Sequence, residues 1–167
     1  MKKTIILFLA FYFGSVFAMK TLIPDELDFT SEDGKVILTI HKDRHAELTK
    51  KKNFFFSDNF IWKDKISYPS KTIINTSNNK VYLLGGIGDP SSELGVILIY
   101  HFDGSLVNKL NAKEVVPNLE DLSRNYGGMG NFPWIDSVTL NKEKNTLSIN
   151  ICGQLTVEIG EDGKFVR

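Results

Sequence analysis

Leu94 to Leu110 read LGVILIYHFDGSLVNKL, a run rich in β-branched and aromatic residues, one Asp-Gly step, and a second, partly apolar stretch. An apolar run this short, bounded by turn residues, is the mark of a strand; a helix of that length would be marginal. The Asp103-Gly104 step suits a tight hairpin, because glycine accepts positive φ without a steric penalty and aspartate tolerates it. The same rhythm of strand, polar turn and strand returns in Asn141 to Ile151 (NKEKNTLSINI) and in Leu155 to Arg167 (LTVEIGEDGKFVR).

Working outward, Asp33-Gly34 precedes Lys35 to His41, and Asn78-Asn79 precedes Lys80-Val81-Tyr82-Leu83-Leu84. Gly95 opens Val96 to Phe102, and Asp162-Gly163 leads into Lys164-Phe165-Val166. Further strands are expected at Phe60 to Trp62, Lys71 to Asn75, Ile135 to Leu140, Leu147 to Cys152 and Gln154 to Ile159. Only Pro117 to Arg124 carries a helical signal, with proline near the start and acidic residues in the first turn. No sustained period of 3.6 residues argues for crossover helices. The expected fold is therefore all-β, an antiparallel meander of hairpins with one short helix, arranged as an incomplete propeller or as a small barrel or sandwich.

The chain begins MKKTIILFLAFYFGSVFA, with Lys2 and Lys3 ahead of the apolar run Ile5 to Phe13 and small residues before Ala18. That pattern is read as a secretory signal peptide, residues 1–18, since the run is shorter than the roughly 20 residues needed to cross a bilayer. Met19 to Arg167 then forms a single β-rich domain, periplasmic or secreted, with no membrane span after cleavage.

Over the whole chain 20 Lys and Arg balance 20 Asp and Glu, and loss of Lys2 and Lys3 leaves 18 against 20. Nucleic acid is not an expected partner, because no basic excess is present. The basic and aromatic segment Lys50 to Asp58 (KKNFFFSD from Lys51) reads as an exposed connection entering a buried strand. Cys152, the one cysteine, cannot close a disulfide within its own chain and reads as a small buried hydrophobe in a strand, with pairing between chains as the alternative.

Gly85 to Gly95 (GGIGDPSSELG) has the look of a phosphate loop, but no Gly-Lys-Ser/Thr follows and the next element is a strand rather than a helix. A hairpin turns in two to five residues, so the stretch is a long inter-strand loop of the kind that meets partners. Gly88, Asp89, Pro90, Ser91, Ser92 and Glu93 are accordingly candidate partner-binding residues. Tyr126 to Trp134 (YGGMGNFPW) adds Tyr126, Met129 and Phe132, large contact side chains among glycines. Trp134 is assigned to the core.

No catalytic residue, metal ligand or cofactor site is assigned. His41 and His45 are four apart, a spacing that converges on a metal only from a helix, and nothing in the sequence places His101 beside them. Neither Gly-x-Ser-x-Gly nor Ser-x-x-Lys occurs on a suitable element, and Glu120 and Asp121 are adjacent and diverge on a helix.

The order Asn78-Asn79-Lys80-Val81-Tyr82-Leu83, a Gly/Ser loop with Ser91-Ser92-Glu93-Leu94, Ile97-Leu98-Ile99-Tyr100 and the Asp103-Gly104 turn resembles the periplasmic immunity proteins that neutralise peptidoglycan amidases delivered by type VI secretion. The resemblance covers about a third of the chain and departs from that family in the single cysteine. It implies an incomplete propeller-like fold and a loop inserted into the amidase active site, with Ser91 and Ser92 as the plug. The expected function is an exported, non-enzymatic domain that binds a protein, as an immunity protein or inhibitor of a peptidoglycan-degrading toxin. The alternative is a small envelope hydrolase or ligand-binding protein.

Overall fold

The structure is a computed structural model and describes residues 24–52, 57–66, 68–86, 97–115, 135–151, 153 and 155–166. Strands β1 (Glu26–Thr30), β2 (Val36–His41), β3 (Ala46–Lys51) and β4 (Ser57–Ile61) form a first sheet in that order. A second holds β5 (Pro69–Asn75), β6 (Lys80–Gly86), β7 (Ile97–His101) and β8 (Leu106–Leu110), and a short helix α1 (Ala112–Val115) follows it. The third comprises β9 (Ile135–Asn141), β10 (Thr146–Ile151) and β11 (Leu155–Ile159), extended by an Ile159–Phe165 bridge. Every pairing is antiparallel.

The chain is thus all-β, as its hairpin rhythm predicts. The barrel alternative is not realised, since the strands stay in three separate sheets that do not close. The helix expected at Pro117 to Arg124 lies outside the described residues, as do residues 1–18 and Cys152, whereas α1 had no strong signal. Strands β1 and β3 were also not anticipated. Their sequences, ELDFT and AELTKK, put charged side chains on the solvent face, which masks the alternation.

The second sheet is buried on both faces, and its sequence shows why. Along β6, Tyr82 and Leu84 face the third sheet while Val81 and Leu83 face the first. A strand covered on both sides needs apolar residues at every position, which is the continuous VYLL and ILIY pattern. The flanking sheets alternate instead: Val36, Leu38 and Ile40 of β2 and Leu147, Ile149 and Ile151 of β10 are buried, and the residues between them are less so. One core therefore fills each seam.

Three turns share one construction. In Gly160 to Lys164, in His101 to Ser105 and in His41 to His45, the first amide donates to the last carbonyl, at 2.7, 2.9 and 2.9 Å. In each, a central aspartate oxygen accepts the amide two residues on, Asp162 from Lys164, Asp103 from Ser105 and Asp43 from His45. The fourth residue has positive φ: Gly163 at 78°, Gly104 at 84° and, in the third turn, Arg44 at 71°. These are three-residue hairpin loops that end in a left-handed residue.

The strand registers also align the sheets with one another. Trp62, whose amide donates to Ala46 O at 2.9 Å, takes the place that Leu110 takes opposite Ile97. Phe60 opposite Leu48 likewise matches Asn108 opposite Ile99. Trp62 is 1 % exposed, lies 4.7 Å from Tyr100 between ring centroids and donates its indole N–H to Phe102 O at 3.1 Å, closing the seam between first and second sheets.

Candidate functional site

Two long connections join described elements, residues 87–96 between β6 and β7 and residues 116–134 between α1 and β9. The candidate residues Gly88, Asp89, Pro90, Ser91, Ser92, Glu93, Tyr126, Met129 and Phe132 lie in these stretches, outside the described residues, as does Trp134. What the structure defines is how the connections are anchored.

β6 ends in Gly85 and Gly86, with Gly86 paired to Pro69. Gly85 has φ of +64°, and a Cβ there would collide with Ser70 Oγ. Only glycine meets both demands. Ser70 is itself fixed, because its hydroxyl donates to Leu84 O at 2.8 Å. The chain therefore leaves β6 along a direction set by backbone geometry. The sequence alone reads Ser67 to Lys71 as a turn and Gly85-Gly86 as the start of a loop, whereas Pro69 to Lys71 belong to β5 and the two glycines to β6, because the pairing of these strands is not written locally.

Lys71 and Asp136 were missed for the same reason. Lys71 Nζ donates to Asp136 O at 2.9 Å, tying β5 to the start of β9, and the Asp136 carboxylate accepts the Gly153 amide. Lys71 pairs with Leu84, next to the exit of the first connection, and Asp136 follows the return of the second. The two connections are thus rooted at one end of the second and third sheets.

The histidines lie elsewhere. His41 and His45 close one hairpin, yet each ring is engaged with a different carboxylate, Glu26 at 3.3 Å and Asp43 at 2.7 Å. His101 stands at the start of an exposed turn with Asp103 and Ser105. There the Ser105 hydroxyl donates to Asp103 at 2.6 Å, so the serine serves the turn's carboxylate. Among the described residues no three metal-ligating side chains come together, and no helix is long and apolar enough to cross a membrane.

The turn carboxylates carry the clearest electrostatic signature. The Ser105 hydroxyl and then its amide hold Asp103 below the usual carboxylate range; the ring and amide of His45 do the same for Asp43, and the Ser31 hydroxyl and Lys35 amide for Asp33. Each group is more acidic folded than unfolded, so its stabilising effect is complete above the ordinary value of 3.8 and is lost as pH falls through the lower folded value. Urea midpoints are expected to hold level from about pH 7 to about pH 5 and to drop below about pH 4. The triple variant D33N/D43N/D103N should flatten that drop, and an equally steep drop would show that other groups carry it.

No protein-family model matches the chain, and no curated protein matches its sequence.

Proposed function

We propose that this chain acts outside the cytoplasm as a non-enzymatic binding protein that engages a protein partner through the 87–96 connection and the Tyr126 to Trp134 stretch of the second connection. The partner we infer is a peptidoglycan-cleaving amidase toxin, whose active site receives Ser91 and Ser92, and the chain is its immunity protein. The observation that carries this reading is the rooting of both loops at one end of a doubly buried sheet, with Gly85 locked against Ser70 and Lys71 bonded to Asp136 O. A loop held at rigid roots loses less conformational entropy on binding, so more of the contact energy appears as affinity.

Deleting Asp89 to Glu93 tests it. Pull-down from periplasmic extract with the intact chain is expected to capture a partner that the deletion variant loses, while circular dichroism shows the same β content. Retention of every partner by a folded deletion variant overturns the reading. Co-expression with an exported amidase gives the second arm: the intact chain is expected to protect cells from lysis and the deletion variant to leave them unprotected.

A further inference from the structure

The outer seam between the second and third sheets holds an open cavity of about 440 Å³ lined by Asn108, Lys109, Leu110, Glu114, Lys164 and Phe165. The other seam shows what this position accommodates. There the equivalents of Asn108 and Leu110 are Phe60 and Trp62, and the Trp62 indole lies against Gly104 of the neighbouring turn. In the second seam a Cβ on the matching turn glycine, Gly163, would come first against Asn108 and Ile99, and Asn108 Nδ2 donates to Gly163 O at 2.8 Å, so the asparagine covers the glycine and the gap lies beyond it. The frame repeats, but two aromatic residues have become an asparagine and a leucine. Phe165 is left 37 % exposed beside the gap and Val166 next to it 47 %.

We propose that this cavity is a docking site for an aromatic side chain flanked by carboxylates on a protein partner. Shape argues for the aromatic ring: the equivalent strand position holds an indole, and the partly exposed Phe165 offers apolar surface of the kind that anchors such a ring at an interface. Charge argues for the carboxylates. Lys109 and Lys164 both contribute to the lining, and the one acid among the described lining residues, Glu114, accepts the Asn111 amide at 2.7 Å. Among the described residues, Lys164 makes a loose contact with the exposed Asp162, at 3.7 Å. The inference rests on the reading of the chain as a protein-binding domain, and it adds a contact made by described residues.

The probe is the tripeptide acetyl-Glu-Trp-Glu-amide, titrated into the full chain and followed by amide chemical shifts. Saturable shifts are expected at Leu110 and Lys164, about tenfold weaker for acetyl-Glu-Ala-Glu-amide and weakening as sodium chloride is added. Leu110→Trp supplies the indole from within and should abolish the response in a folded protein. Should that variant fail to fold, K109E/K164E serves in its place and is expected to weaken binding about tenfold and to remove its salt dependence. Equal responses to the Trp and Ala peptides, no saturable response, or undiminished binding by either folded variant would overturn the proposal. Loss of the Asp89–Glu93 loop should leave the titration unchanged, so the two surfaces fail or stand separately.

Discussion

Trp62→Ala is expected to cost about 3–5 kcal/mol, the range found when a fully buried large aromatic is truncated. Three contributions combine at this site. The indole is 1 % exposed and its removal opens space between two sheets, the tilted contact with Tyr100 at 4.7 Å is lost, and the buried Phe102 carbonyl loses its donor. A domain of this size typically has only about 5–15 kcal/mol of stability, so this single change removes a large fraction of it. With about 2–4 °C of melting temperature per kcal/mol, the midpoint should fall by roughly 10 °C in a thermal scan. A loss below about 1 kcal/mol would mean that the seam collapses to fill the space, contrary to the packing described. The mutation also tests how the sheets cohere. Trp62 belongs to the first sheet by sequence but is held by the second, so cooperative loss of both sheets is expected in urea denaturation, rather than separate transitions.

The second large effect is expected at Gly104. Gly104→Ala places a Cβ within 2.6 Å of Trp62 Cγ and 2.7 Å of Cδ1, and it also demands φ of 84° from a residue that resists it. Left-handed backbone costs roughly 1–2 kcal/mol for a non-glycine residue, and overpacking a close contact adds about 1–3 kcal/mol. Gly34 is the internal control. Its φ is also positive, at 70°, but a Cβ there has open space, so Gly34→Ala should show the backbone cost alone. The two alanine variants should therefore differ by at least about 1 kcal/mol in chemical denaturation. A double-mutant cycle locates the difference. In a W62L background, which gives this seam the side chain that the other seam has at Leu110, Gly104→Ala should lose most of its excess cost, with a coupling energy of about 1 kcal/mol or more. Additive effects would place the strain in the turn itself and not in its contact with the indole.

Much of the fold was legible in single residues. Asp103-Gly104 and Asp162-Gly163 announced turns because few other residue pairs accept a left-handed second position next to an aspartate that bonds forward. The Asp43-Arg44 turn has the same hydrogen bonds but escaped notice, because arginine pays there a steric cost that glycine avoids and so gives no signal in sequence. The apolar runs of β6 and β7 were plain, whereas β1, with alternate residues exposed and acidic, was not. The anchors of the two candidate loops divided similarly. Gly85 stood out, while its reason, the Ser70 hydroxyl on the adjacent strand, is a neighbour only after pairing.

By itself the sequence determined what lies within reach of a few residues: that the chain forms short antiparallel strands, where most of them turn, and which stretches are too long to be turns. The tertiary structure alone decided that the strands divide into three sheets, that the middle one is covered on both faces, and that Trp62 closes the edge of one seam while a cavity borders the buried Leu110 at the edge of the other. Turn geometry depends on the backbone preferences of adjacent residues, which are written locally. Seam filling depends on the volumes of side chains brought together from strands distant in sequence, and no local pattern encodes that sum.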